Sequence, residues 1–175
     1  MQRIAIVGCS GGGKSTLARA LGERLGLPVV HLDTLFWKPG WVESPIEEFR
    51  PRVEAAAAQE RWIIEGNFTS ASALRFARAD TVIWIDLPIL LCLWRAVRRV
   101  LLDYGRSRAD LSPGCPERFD LEFYRYIWTW NRVTRPKMAR ALAEFAPNAR
   151  RVHLASDGAK ARFLADLEPN ARSPV

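Results

Sequence analysis

Gly8-Cys9-Ser10-Gly11-Gly12-Gly13-Lys14-Ser15, followed by Thr16, fits the spacing G-x-x-x-x-G-K-[ST]. Each part of the stretch has a phosphate-related use. Successive backbone N–H groups of a glycine-dense turn can converge on an anion with no Cβ in the way. Lys14 offers a point charge for outer phosphates, and the Ser15 hydroxyl is a ligand for Mg²⁺. A helix starting here aims the positive end of its dipole at the same place.

The flanks agree with that reading. Ile4-Ala5-Ile6-Val7 is a continuous apolar run, as expected of a parallel strand covered on both faces. Leu17, Leu21 and Leu25 recur every four residues, one face of a helix. A chance glycine-serine turn would lack this strand–loop–helix context. Gly8, Ser10, Gly11, Gly12, Gly13, Lys14, Ser15 and Thr16 are therefore the candidate nucleotide contacts.

The chain of 175 residues is long enough for one well-buried core, and its 49% apolar content argues against disorder. The longest apolar segment, Val82 to Trp94, is interrupted by Asp86 and Pro88, short of the roughly 18–20 residues of a membrane span. The N-terminus reads as a strand, so no signal peptide is expected. Cys9, Cys92 and Cys115 have neither paired spacing nor an even count, which disfavours a disulfide framework or a zinc site and suits a reducing cytoplasm. His31 and His153 read as strand-end residues rather than metal ligands.

The net charge of +7 is concentrated: from Arg95 to Arg140 there are eleven basic residues against five acidic ones. Base usage, a solvated helical face, arginine forks closing on phosphates and a nucleic-acid surface all fit that pattern. Charge alone does not separate them, and no nucleic-acid reader motif is visible.

Strand-like runs alternate with helical patterns: Pro28–Leu32, Arg61–Ile64, Thr81–Ile85 and Arg150–Leu154 follow the first strand, and Ala159–Leu167 reads as a terminal helix. Such alternation implies a parallel sheet with helices on both faces and ligands beyond the strands' carboxyl ends. Asp33, Glu65 and Asp86 end three of these strands, although Asp86 also reads as a cap for the helix opened by Pro88. Residues 34–60 form an insertion, with a helix from a Ser44 cap (Pro45 at N1) to Gln59. Residues 103–118, with Gly105, Pro113-Gly114 and Pro116, read as a loop or lid. Pro136 is expected to kink or end a helix that starts near Phe119. One domain over 1–168 and a tail over 169–175 are expected. Glu65 is the candidate Mg²⁺ carboxylate beside Ser15.

These residues resemble the adenylate-kinase-like group of P-loop kinases, and more closely bacterial proteins labelled topology modulation proteins. The similarity is carried by Gly8–Thr16, by His31-Leu32-Asp33 with Leu35-Phe36-Trp37-Lys38-Pro39-Gly40-Trp41, by Arg61–Asn67, Ala79–Trp84 and Pro113–Arg118. It implies a P-loop three-layer α/β/α fold, with a five-stranded parallel sheet in the order 2-3-1-4-5. It also implies ATP and Mg²⁺ as cofactors and a small-molecule acceptor. Arg95 and Arg99 are similar to the paired arginines before the adenylate kinase lid, one on the base and one on phosphates. Asp33 resembles the acceptor-hydroxyl carboxylate of shikimate kinase. The adenylate kinase stretch Asp-Gly-Phe-Pro-Arg is reduced here to Glu65-Gly66-Asn67-Phe68, which removes an acceptor-phosphate contact. Ser156 falls where the group contacts the adenine edge, or caps a helix. Trp37 with Trp41, and Arg50, are candidate acceptor contacts, packing being the alternative for the tryptophans. Arg118 and Arg132 are candidate arginine fingers. A nucleotide-gated regulatory or nucleic-acid-binding protein is the rival reading. Oligomeric state is not legible.

Overall fold

The computed structural model describes residues 1–107 and 110–167, so the expected 169–175 tail lies outside the described residues. In chain order the elements are β1 (Arg3–Gly8), α1 (Lys14–Leu25), β2 (Val29–His31), α2 (Leu32–Phe36), β3 (Trp37–Lys38) and β4 (Val42–Glu43). Then come α3 (Ile46–Ala58), β5 (Trp62–Glu65), a 3₁₀ turn (Thr69–Ala71) leading into α4 (Ser72–Phe76), and β6 (Thr81–Ile85). The chain continues through α5 (Ile89–Asp103), α6 (Leu121–Thr129), α7 (Thr134–Phe145), β7 (Arg150–Leu154) and α8 (Asp157–Ala165).

Five strands form one sheet in the order β2-β5-β1-β6-β7, and every pairing in it is parallel. Counted along the sheet strands alone, this is the expected 2-3-1-4-5. Parallel neighbours require crossover segments, and these supply the helices that cover both faces. The strand alternation divides the core accordingly. Ile4, Ile6, Ile63, Ile83 and Ile85 pack with Leu17, Leu21, Cys92 and Ala96 on one side. Ala5, Val7, Ile64 and Val82 pack with Phe49, Val53, Met138 and Leu142 on the other. All five strands point the same way, so Gly8, His31, Glu65 and Ile85 end along one rim. β3 and β4 make a separate antiparallel hairpin.

Several local expectations need correction. β2 stops at His31, and Leu32 opens α2, so Asp33 lies in a helical first turn rather than at a strand end. Ser44 does not cap α3: Pro45 holds the N-cap position, and the buried Ser44 Oγ accepts instead from Arg52 Nη1 at 3.3 Å. Asp86 does not cap α5 either, where Pro88 stands at the N-cap. The helix expected from Phe119 is two helices, and the break precedes Pro136. That proline is the third residue of α7, where the missing N–H would have had no helical partner anyway. Among the described residues no helix is long and apolar enough to cross a membrane.

Candidate active site

β1 ends at Gly8, and the chain turns back so that the Gly12 amide donates to the Cys9 carbonyl at 3.0 Å. Gly13 is left-handed (φ 87°) at the N-cap of α1, with no side chain bonded to the first-turn amides. Those amides and the dipole of α1 therefore face the loop interior, the arrangement that binds anions. The loop is also packed from outside. A Cβ on Gly11 (φ 82°) would stand 2.2 Å from the Cys92 carbonyl oxygen of α5, so only glycine fits there. The buried Cys9 thiol contacts Cys92, and that hydrogen bond, aided by burial, raises its pKa far above the usual thiol range. Lys14 Nζ lies across the loop, donating to the Cys9 carbonyl at 3.4 Å. From α8, Lys160 Nζ donates to the Gly12 carbonyl at 2.9 Å. Ser10 is half-buried and Thr16 is exposed at the start of α1.

Glu65, 2% exposed, closes β5 beside the loop. Its Oε1 accepts from Ser15 Oγ at 3.0 Å and lies 2.7 Å from His31 Nδ1. The ring thus carries its proton on Nδ1 when Glu65 is ionised. The β2–β5 register, which opposes His31 to Glu65, brings this pair together. Arg75, 0% exposed, stands behind them. Its Nη1 donates to the Phe68 carbonyl at 3.1 Å and its Nη2 to the Gly66 carbonyl at 3.0 Å. Burial lowers its pKa to about 9 while the Glu65 charge pulls upward, so the group remains cationic at neutral pH. Asn67 clamps the other side: Oδ1 accepts from the Gly8 amide (3.2 Å), and Nδ2 donates to the Gly8 carbonyl (2.8 Å) and Tyr126 Oη (3.1 Å). Ser15 and Glu65 place two hard oxygen donors next to the bare amides, a set that suits Mg²⁺.

The paired arginines of α5 are both engaged. Arg95 holds Asp157 with both Nη atoms, and Arg99 Nε lies 2.9 Å from Glu117 Oε1 while stacking on Phe123. Asp157 also pairs with Lys160, and these two cations hold its carboxyl at about 2. Ser156 caps α8, its Oγ accepting from the Ala159 amide at 3.1 Å. Asp86 pairs with Arg135 (2.8 Å) and His153 (3.0 Å); burial opposes its ionisation, but the two partners outweigh that and lower its pKa.

The 34–60 segment is joined to the 110–118 part of the expected lid. Ser112 Oγ donates to the Thr34 carbonyl (3.0 Å), the Gly40 amide to the Gly114 carbonyl (2.7 Å), and Trp41 Nε1 to the Pro116 carbonyl (2.8 Å). Trp37 sits edge-on between Phe36 and Trp41, and the Arg118 guanidinium covers Trp41 at 5.6 Å. Asp33 is half-buried and close enough to Tyr126 to help raise the phenol pKa, after the larger effect of burial. Arg50 is exposed and donates to the Ser70 carbonyl at 3.3 Å, and Arg132 is exposed in the turn between α6 and α7. His31, Asn67, Arg75 and Lys160 are site residues that the linear reading missed. His31 and Asn67 had a signal, since each lies at the edge of a stretch that carries the resemblance.

No family model matches the chain, and no curated protein is similar to it in sequence. Solved structures are similar in fold. Shikimate kinase from Acinetobacter baumannii, in complex with shikimate, aligns with a TM-score of 0.60 at 16% identity, over 94% of this chain and 89% of that one. An unliganded sugar kinase from Janibacter sp. HTCC2649 aligns with a TM-score of 0.50 at 15% identity, over 94% and 93%. With the sheet order and the phosphate loop, this likeness establishes the P-loop kinase fold.

Proposed function

We propose that the chain is a Mg²⁺-dependent kinase that moves the γ-phosphoryl group of ATP to a hydroxyl of a small-molecule acceptor. One observation carries this: the bare amides of the 8–15 loop, spanned by Lys14, open beside the Ser15–Glu65 pair. In this reading the loop amides and Lys14 would hold the triphosphate, and Ser15 and Glu65 would hold Mg²⁺. The metal, when bound, neutralises charge on the outer phosphates. Asp33 orients the acceptor hydroxyl and takes its proton as the new O–P bond forms and the bond to the departing ADP breaks. Arg99, Arg118 and Arg132 offset the charge on the migrating group, Arg95 and Ser156 bound the base, and Trp37 and Arg50 bound the acceptor. The 34–60 and 103–118 segments act as acceptor cover and lid of a single domain over 1–168. Three buried free cysteines fit a reducing cytoplasm.

The motif resemblance to bacterial topology modulation proteins points instead to the rival, a nucleotide-gated regulatory or nucleic-acid-binding protein. The direct experiment is a screen of nucleosides, nucleotides and small polyols for ATP-dependent phosphorylation. Lys14→Ala should lower turnover by about two orders of magnitude or more with the fold intact, and Glu65→Gln should keep ATP binding but lose the Mg²⁺ response. An ADP release rate that no acceptor raises above slow hydrolysis would sink the kinase reading. A steep salt slope for duplex binding would favour the rival.

A further inference from the structure

We infer that the chain self-associates as a twofold dimer through the outward face of α5. The inward face of this helix is ordinary: Cys92, Ala96 and Val100 recur every four residues and are buried. The outward face is not. Leu90 (68% exposed), Trp94 (59%), Val97 (37%) and Leu101 (76%) fall at i, i+4, i+7 and i+11, an unbroken apolar ridge roughly 16 Å long. Two of the three arginines of α5 are held off it. Arg95 and Arg99 are turned aside to Asp157 and Glu117, and Arg98 lays its guanidinium over Trp94 at 5.9 Å.

The spacing of the ridge is palindromic about the midpoint between Arg95 and Ala96. Two copies of α5 packed antiparallel about a twofold axis therefore oppose Leu90 to the partner's Leu101 and Trp94 to the partner's Val97. Leu93, half-buried beside the ridge, then meets the aliphatic stem of the partner's Arg98. Trp94 faces the smaller Val97 and leucine faces leucine, so the surface is complementary to itself, as an isologous contact demands. The area is adequate. Scaled by those exposures, the four residues leave roughly 450 Å² per copy, within the range of the largest apolar patches on monomers. A pair covers at most about twice that before Leu93 and Arg98 are added, approaching the ~1,200 Å² at which specific interfaces begin. Other occupants fit less well. A lipid surface calls for several flanking cations, and the ridge has Arg98. The 168–175 segment, Glu-Pro-Asn-Ala-Arg-Ser-Pro-Val, has one large apolar residue to offer.

Sedimentation velocity of the full chain between about 1 and 100 µM tests this. The expected species is twice the 19.8 kDa chain mass, shifting to the monomer on dilution. Trp94→Glu and Leu101→Glu, each checked for native circular dichroism, should weaken the dimer by about a hundredfold or more. The register has its own test under mild oxidation: a Leu90→Cys copy mixed with a Leu101→Cys copy should form an inter-chain disulfide, whereas Leu90→Cys alone should not. A chain monomeric at 100 µM, a dimer insensitive to Trp94→Glu, or a self-linked Leu90→Cys would each overturn the proposal.

Discussion

A guanidinium out of reach of water costs several kcal/mol unless its charge and its donors are met. Arg75 meets both needs, with Glu65 nearby and the Gly66 and Phe68 carbonyls as acceptors. It therefore fixes the backbone just after the candidate metal carboxylate. Arg75→Ala removes the donors, leaves a cavity and leaves the Glu65 charge poorly compensated. We expect a loss of about 3–5 kcal/mol in urea unfolding, and a smaller loss for Arg75→Met, which keeps the volume. A change under about 1 kcal/mol for Arg75→Ala would show that the buried charge is incidental. Nothing in the linear sequence marks Arg75 as buried, since it sits in a short helical stretch among other arginines. Glu65 was legible because it follows an apolar run, while its partner His31 depends on the register between two strands.

At the scale of elements, the β3–β4 hairpin and the 110–118 stretch are bonded into one unit. Gly114 is the tight point: its φ is 80°, and a Cβ there would stand 2.9 Å from the Pro39 Cβ. Gly114→Val should push the two apart and break the bond from the Gly40 amide to the Gly114 carbonyl. We expect the Gly40 amide to exchange with solvent about tenfold faster, and KM for the acceptor to rise while ATP affinity holds. Unchanged exchange at Gly40 would mean that the junction is not what secures the hairpin. Turn residues announced both segments in the sequence. Their union did not show, because it joins groups more than seventy residues apart and its acceptors are backbone carbonyls, which every residue has.

For the whole molecule, carboxylates with lowered pKa values set the response to acid. Asp157 is lowered to about 2 by Arg95 and then Lys160. Asp86 and Asp80 are also lowered, in each case against the opposing effect of burial. The partners that prevail are Arg135 and His153 for Asp86, and the Gln2 and Arg3 amides for Asp80. A carboxyl whose folded pKa lies below its unfolded value binds fewer protons when folded, so its contribution is complete above about pH 4 and fades as pH falls through the folded value. Stability should be level from pH 5 to 8 and decline from about pH 4 toward pH 2. Asp86→Asn and Asp157→Asn should flatten that decline, as followed by urea midpoints; an unchanged slope in the double variant would exclude these pairs as its source.

Some of this was written into the chain order. The loop from Gly8 to Thr16, the strand before it and the leucine stripe after it depend on neighbours within a turn or two, so spacing alone reveals them. The strand alternation revealed the sheet, and resemblance supplied its order. The buried Glu65–His31 pair, the Asn67 clamp on Gly8 and the reach of Lys160 from α8 to the loop are different in kind. They exist because parallel pairing and crossover helices bring together residues 34 to 148 positions apart, and no local period encodes that proximity.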